Sequence, residues 1–407
     1  MSEGPMGCVT FHNLPDRLLE LYRKKMLRWD SPAGPLELSI PADVFSSYQV
    51  DRGTRELLRR VAASGPRWQR ALDLGCGYGP IALHLARSGA ARQVDAVDRD
   101  ALAVAFTRHN ARLNGLDGVA ARGALAYEGA GQAAYDAILC NLPAKAGQPV
   151  HRMVLLGGAD SLRQGGEVWV VAVAALERQI DAILSDPAVV MRHKDRCKEH
   201  LVYRYAFTGR PADLPQDPYL RGRQTFRWHD QEYPLDVLHG LGEFDSRNWS
   251  TDLVLQAFEE LSRAQRPVAM AIFSPSQGHL AVLACHLAGG LANLAVTSRD
   301  LIALEATRRN LAGFGYAGGL QLIHTADFSV GDDVPALQWA LAVLEEQEGL
   351  EVNIHKLHAL LAGRQGCRVI AGCRAAFGSR LETGLRRLGL RASIRKKRRG
   401  FCALYVE

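Results

Sequence analysis

The sequence has no apolar run near the roughly 20 residues that a membrane-spanning helix needs. No bilayer-spanning helix is therefore expected. Its first residues, MSEGPMGCVTFHNLPD, have no basic flank followed by an apolar core, so no secretory leader is expected either. The Met-Gly-Cys at Met6 to Cys8 is internal and is read as chance rather than as a lipidation signal. The eight cysteines (8, 76, 140, 197, 285, 367, 373 and 402) include no Cys-x-x-Cys pair, and no His cluster sits beside them at zinc-ligand spacing. No metal site is expected. Free thiols in a reducing, cytoplasmic setting are. Neither sign of charge dominates: the net of +6 permits a nucleic-acid partner without demanding one. Local basic clusters stand at Arg23-Lys24-Lys25, at Arg192 to Lys198 and at Arg395 to Arg399, each readable as a solvated face or as a phosphate contact.

What is present is a repeat. The chain of 407 residues is long enough for two ordinary domains. AVDRDALAVAFTRHN, ending at Asn110, matches AVTSRDLIALEATRRN, ending at Asn310, so that Asp100 pairs with Asp300. Pro35-Leu-Glu-Leu-Ser ahead of Phe45-Ser46-Ser47 matches Pro234-Leu-Asp-Val-Leu ahead of Phe244-Asp245-Ser246. Matches this far apart at nearly one offset point to a tandem duplication. The boundaries expected are 1–208 for the first domain, 209–230 for a Pro- and Gly-rich linker, and 231–407 for the second domain. Each copy alternates strand and helix signals. The fold class expected is α/β: two tandem domains, each a mostly parallel sheet closed by an antiparallel hairpin, with helices on both faces.

In the first copy Leu72-Asp73-Leu74-Gly75-Cys76-Gly77-Tyr78-Gly79-Pro80 ends a strand, turns the chain on three glycines and opens an apolar helix. Glycine allows positive φ and close approach of a ligand to the backbone. A Gly-x-Gly-x-Gly alone also fits a dinucleotide loop. Two carboxylates add to it: Asp73 before the first glycine, and Asp98 at the end of the next strand, about 20 residues on, where a carboxylate can accept both hydroxyls of a ribose. The run resembles the first motif of class I S-adenosylmethionine methyltransferases, and the fold then expected is the Rossmann-like fold of that class. The resemblance implies that Asp73, Gly75, Cys76, Gly77, Tyr78 and Gly79 line the cofactor, that Asp98 with Arg99 beside it meets the ribose, and that Ala124 and Leu125 flank the adenine.

The fourth strand ends Asn141-Leu142-Pro143-Ala144-Lys145. This resembles the Asn-Pro-Pro-aromatic motif of methyltransferases that act on exocyclic amines, where the Asn orients the target nitrogen. Asn141 and Pro143 are retained as candidate catalytic residues; Leu142 and Ala144 replace the first Pro and the aromatic. A ring from elsewhere is then needed to stack on a base, with Phe45 and Tyr48 as candidates, and Lys145 is a candidate phosphate or carboxylate contact. Cys140 is read as a core thiol, not a nucleophile. Val44 to Thr54 resembles the segment that leads into the core of bacterial ribosomal-RNA guanine N2-methyltransferases with the "methyltransferase small" domain, which are also tandem duplications with one degenerate copy. That likeness implies Thr54 near the methionine end of the cofactor. In the second copy the acidic residue and two glycines of the loop are missing, Ser298 stands for Asp98, and Glu345 to Glu348 are matched with the reaction motif, so no S-adenosylmethionine is expected there.

These residues lead to an S-adenosylmethionine-dependent methyltransferase acting on an exocyclic amine in ribosomal or transfer RNA, as a monomer with an internal pseudo-dimer. A protein or small-molecule N-methyltransferase and a non-catalytic RNA-binding factor are the alternatives.

Overall fold

The computed structural model describes residues 9–263, 266–331, 336–362, 364 and 366–407. They form two compact units, one of Arg23–Tyr219 and one of Leu220–Glu407 together with the N-terminal segment up to Tyr22. In the first unit the sheet order is 119–123, 91–98, 68–74, 135–141, 162–173, 200–207, 189–197. The strand His200–Phe207 runs antiparallel to both of its neighbours, and the first five strands are mutually parallel. In the second unit the strands 319–324, 293–298, 269–273, 339–343, 368–374, 401–406 and 392–398 repeat the same order. The two sheets are thus copies of one design, mostly parallel and closed by an antiparallel hairpin.

The central strands are covered by helices on both faces, which is why they are almost unbroken runs of apolar residues. Ala71, Leu72, Ile138, Leu139, Val170 and Val171 are fully buried in the first unit, as are Ala271, Ile272, Ala340 and Leu341 in the second. Helix starts repeat as well. Asp100 caps the helix Ala101–Leu113 by accepting from Leu102 N at 2.9 Å, and Asp300 caps Leu301–Gly313 by accepting from Ile302 N at 3.0 Å.

The most informative repeat is a buried asparagine. Asn110 accepts from Ser39 N (2.8 Å) and donates to the carbonyls of Ser39 (3.0 Å) and Tyr78 (2.9 Å). Asn310 accepts from Asp236 N (2.8 Å) and donates to the carbonyls of Asp236 (2.9 Å) and Gln277 (2.8 Å). Each ties a leading hairpin, 23–41 or 220–238, to the loop after the first central strand. Alanine at either position leaves three backbone groups unpaired. Asn110→Ala and Asn310→Ala are each expected to destabilise their own unit by about 2–3 kcal/mol in denaturant titrations; no change in either would contradict this account of the hairpins.

The domain boundaries differ from those read in the sequence. Val9–Phe11 is a parallel edge strand beside Gly319–His324, so the N-terminal segment belongs with the second unit. Residues 220–228, expected in the linker, form the first strand of the second hairpin. The seven cysteines among the described residues are free thiols; Cys8 lies outside them. No helix among the described residues is long and apolar enough to cross a membrane.

Candidate active site

In the first unit the order of strands reverses at Trp68–Leu74, between Ala91–Asp98 and Tyr135–Asn141. Ligands bind in the crevice outside the carboxyl ends of strands at such a point. All three of these strands end on a candidate residue or motif.

The loop after Leu74 is set by its glycines. Gly75, Gly77 and Gly79 have φ of 83°, 57° and 97°. A Cβ at Gly75 would meet no atom within 4 Å, and one at Gly77 would meet only Val44 Cγ1 at 4.0 Å, so both backbones face open space. Gly79 differs: a Cβ there would run into Leu83 and Thr107, so this glycine serves packing. Cys76 is buried and near the Thr107 hydroxyl (3.4 Å), and burial pushes its thiol well up. Tyr78 is buried too; its hydroxyl donates to the carbonyl of Gln49 at 3.2 Å, which fastens the Val44–Thr54 segment to the loop.

Two carboxylates are desolvated beside this loop. Asp73 is fully buried; one oxygen accepts from Ala82 N at 3.0 Å in the first turn of Pro80–Arg87, and the other has no partner. Burial, with the Asp98 charge adding to it, raises its carboxyl to about 7. Asp98 accepts from Gly77 N (2.9 Å) and Asp100 N (3.0 Å), and burial raises it to about 6. Ala124 and Leu125 follow the adjacent strand; both are buried, and Ala124 N donates to the carbonyl of Asp98 at 3.0 Å. Arg99 follows directly on Asp98. An orphaned buried carboxylate oxygen, a glycine cradle open to solvent and a second carboxylate at the next strand end fit a cationic, ribose-bearing cofactor.

The raised carboxyls carry a stability cost. The folded chain keeps a proton on Asp73 up to about pH 7, whereas the unfolded chain releases it near 4. The folded form is therefore favoured at low pH, and that advantage is lost as pH rises from about 4 to about 7. Asp73→Asn keeps an acceptor for Ala82 N and removes the charge. Without cofactor it is expected to raise the melting temperature by on the order of 5 °C near pH 8 and by little near pH 5. An equal shift at both pH values would refute the burial argument.

The third strand end holds Asn141. Its side-chain amide donates to Asp51 Oδ2 at 2.9 Å and to Thr54 Oγ1 at 3.0 Å. A carboxylate can only accept, so the NH2 group must point this way, which leaves Oδ1 as the remaining acceptor of the side chain. Asp51 also caps the helix Arg52–Ser64 by accepting from Thr54 N at 3.2 Å. Asp51 stands in the Val44–Thr54 segment read in the sequence but not among the candidate site residues, although Asp directly ahead of an apolar helix is a capping signal. Two further residues were missed. His151, buried, donates to the carbonyl of Pro143 (2.8 Å) because its other ring nitrogen receives the Gln179 amide (2.8 Å); this pair holds the loop after Asn141.

Pro143, Ala144 and Lys145 are exposed, and Cys140 is buried with its thiol pushed up by burial, which suits a core residue. Phe45 and Tyr48 lie on the exposed segment that Tyr78 anchors, 73% and 69% accessible. The Lys24 ammonium sits 3.3 Å from the Tyr48 ring centroid and covers one face of it; the Phe45 ring is the more open of the two.

This geometry defines a class, and comparison with known proteins agrees with it. The family model described as methyltransferase small domain matches residues 36–196. The protein YbxB of Bacillus subtilis is 31% identical over 159 residues, 37% of this chain and 78% of that protein. The chain belongs to the methyltransferase small domain family, and it is a class I S-adenosylmethionine-dependent methyltransferase. Ribosomal RNA small subunit methyltransferase C of Chromohalobacter salexigens is 42% identical over 113 residues, which is 27% of this chain and 33% of that one. The matched region thus spans about a third of the length of that relative. Across almost the whole chain the fold is that of the Thermus thermophilus 16S rRNA N2 G1207 methyltransferase, solved with AdoMet and guanosine: TM-score 0.69, 19% identity, 96% of this chain and 99% of that one.

The second unit has a different chemistry at each equivalent position. Its loop reads Ser274-Pro275-Ser276-Gln277-Gly278, and Ser298 accepts from Asp300 N as Asp98 does from Asp100 N. Register puts Val343 opposite Gly372 and Asn141 opposite Val171, and Leu344 N and Leu142 N donate to those same partners. Val343 therefore stands for Asn141, two residues ahead of the Glu345 to Glu348 match read in the sequence. Ala326 stands for Leu125, and its carbonyl accepts from the fully buried Tyr22 hydroxyl at 2.8 Å. The single proton of that hydroxyl is shared with Glu348, also at 2.8 Å, and Glu348 pairs with buried Lys356 at 2.7 Å. Phe328 stacks on Phe273 with centroids 4.2 Å apart. The region that is open in the first unit is filled here by side chains.

Proposed function

We propose that the first unit methylates an exocyclic amine of a base in ribosomal RNA. The observation that carries this reading is the pinned amide of Asn141, which leaves an acceptor oxygen at the end of the central strand where an amine N–H can be received. S-adenosylmethionine, when bound, supplies an activated methyl group. Gly75 and Gly77, with Cys76, Tyr78 and Gly79 shaping the turn, hold it against the backbone; Asp73 offers its unpaired oxygen to the cationic end; Thr54 borders the methionine; Asp98 takes the ribose, with Arg99 beside it; Ala124 and Leu125 enclose the adenine. Asn141 Oδ1 would accept one N–H of the target amine and so direct its lone pair at the methyl carbon; as the N–C bond formed the S–C bond would break, S-adenosylhomocysteine would leave, and the extra proton on the nitrogen would pass to water. Pro143, held by His151, sets the path of the loop over the amine. Much of the rate then comes from orientation rather than from acid–base chemistry. Phe45, or Tyr48 on its open face, supplies the ring that Ala144 lacks, and Lys145 meets a phosphate.

The activities for which the relatives are named support RNA as the substrate. Besides the small-subunit enzyme, ribosomal RNA large subunit methyltransferase G of Streptomyces coelicolor is 35% identical over 136 residues, 36% of its length. The missing aromatic after Pro143 favours one other reading, a protein or small-molecule amine. Incubation with methyl-labelled S-adenosylmethionine and an extract lacking this gene product decides between them: label in RNA is expected, and label only in protein or metabolites would overturn the RNA assignment.

A further inference from the structure

Residues 374–407 hold ten Lys and Arg and two acidic residues, a net of +8, whereas the whole chain is +6. All of the excess positive charge, and more, lies in this one stretch. It forms the last helix of the second unit, Ala375–Arg387, and the closing hairpin Ala392–Arg398 with Phe401–Val406. The same elements of the first unit, residues 174–207, carry six basic and five acidic residues, a net of +1. The duplication thus supplies an internal control: one scaffold, two electrostatic surfaces.

Side-chain pairing leaves the difference in place. In the first unit three of the six cations are met by carboxylates. Lys194 pairs with Glu177 and Asp181 (2.8 Å each), Arg196 with Glu177 (3.0 Å) and Arg204 with Glu167 (2.6 Å). In the second unit nine of the ten cations are exposed, and three carboxylates serve the group: Glu382 for Arg386, Glu407 for Arg391 and Glu260 for Lys396. Other cations sit on rings instead, Arg395 over Tyr405 (5.0 Å) and Arg398 and Arg399 over Trp249 (5.0 and 4.9 Å). An open cavity of about 440 Å³ brings Arg386, Arg391 and Arg395 together with Ser393, Tyr405 and Glu407, whose carboxylate accepts from the Tyr405 hydroxyl at 2.6 Å. Three guanidinium groups gathered round one hollow, with Arg398 and Arg399 held on a ring beside them in sequence, suit the planar, multidentate recognition of phosphate.

We infer that this helix and hairpin of the second unit form the RNA-docking surface of the protein, gripping the phosphate backbone while the first unit performs the chemistry. The inference rests on the RNA reading above, and it gives the second unit a task that needs no cofactor. Backbone contacts of this kind fix position without reading sequence, and they act through counterion release.

The test uses the full chain with Arg387, Arg395 and Lys397 all changed to Gln, and a fluorescent transcript of a small-subunit rRNA fragment as the probe. Binding is followed over a range of salt. At low salt the triple variant is expected to bind roughly 30-fold or more weakly, and its log K against log salt slope to flatten by about 2–3. The matching triple on the first unit, Lys194, Arg196 and Arg204 to Gln, is expected to change affinity less than roughly threefold, because those cations are already paired with carboxylates. Unchanged melting temperature and unchanged S-adenosylmethionine affinity in both variants show that folding and the cofactor site are intact. Equal RNA binding by wild type and the first triple variant would overturn the proposal, as would wild type that binds anionic phospholipid vesicles but not RNA. The binding assay does not depend on turnover. Loss of RNA binding in the variant with no methyl transfer to any RNA would sustain this surface and sink the catalytic reading instead.

Discussion

Asn141→Ala is expected to lower kcat by roughly 100- to 1,000-fold while leaving S-adenosylmethionine affinity within about twofold, because it removes an orienting acceptor and no proposed cofactor contact. The reasoning is geometric. Asn141 gives both amide hydrogens to groups fixed by the start of the helix Arg52–Ser64, Asp51 Oδ2 at 2.9 Å and Thr54 Oγ1 at 3.0 Å. The side chain therefore cannot turn, and its oxygen presents one direction to a substrate. Asp51→Ala removes the anchor but not the acceptor. It is expected to cost less than Asn141→Ala, roughly tenfold in kcat, together with about 1 kcal/mol of stability for the lost helix cap. Single-turnover rates with saturating cofactor measure both. Equal activity of Asn141→Ala and wild type would remove Asn141 from the reaction, and a larger loss for Asp51→Ala would make the carboxylate, not the amide, the group that acts.

Asp98→Ala is expected to weaken S-adenosylmethionine binding by roughly 30- to 1,000-fold, equivalent to about 2–4 kcal/mol for two charge-assisted hydrogen bonds to a ribose. Part of the loss is indirect, since the Asp98 carboxylate also holds Gly77 N at 2.9 Å and with it the turn of the glycine loop. Asp98→Asn, which retains one acceptor, is expected to fall between wild type and alanine. Calorimetry on the wild type is expected to give one cofactor per chain. In the second unit Ser298→Asp is expected to add no binding, because Tyr22 and the Glu348–Lys356 pair occupy the region next to it and Val343 offers no polar group. Two cofactors per chain, or full affinity in Asp98→Ala, would contradict this assignment.

Much of this was legible in the sequence, and the reasons are local. Asp73 to Gly79 declares itself because a strand, a glycine turn and an apolar helix are contiguous, and the capping pair Asp100 and Asp300 stands at identical places in both copies. The N-terminal strand was not legible: Val9–Phe11 is three residues long, and its partner Gly319–His324 lies more than three hundred residues away, with nothing local to indicate the pairing. The match of Asn141 slipped because loop lengths drift between copies. Asp98 aligns with Ser298 at an offset of 200 and Asn141 with Val343 at 202, so a fixed offset cannot locate a motif whose residues have also changed. Charge clusters read alike in one dimension. Arg192 to Lys198 and Arg395 to Arg399 differ only when the carboxylates of Glu177–Leu184 are seen beneath the first. Asp51, His151 and Gln179 act by holding other groups, and a supporting role depends on neighbours that are distant in sequence.

The most direct test of the central claim is the position of the methyl group. RNA modified by the purified protein would be digested to nucleosides and the product identified by mass spectrometry against synthetic standards. A nucleoside methylated on its exocyclic nitrogen, formed by wild type and missing with Asn141→Ala, is the result this account requires. A methyl group on a ring carbon, a ring nitrogen or a ribose hydroxyl would contradict it, because the alkylated atom would then not be the exocyclic amine that Asn141 Oδ1 is proposed to orient.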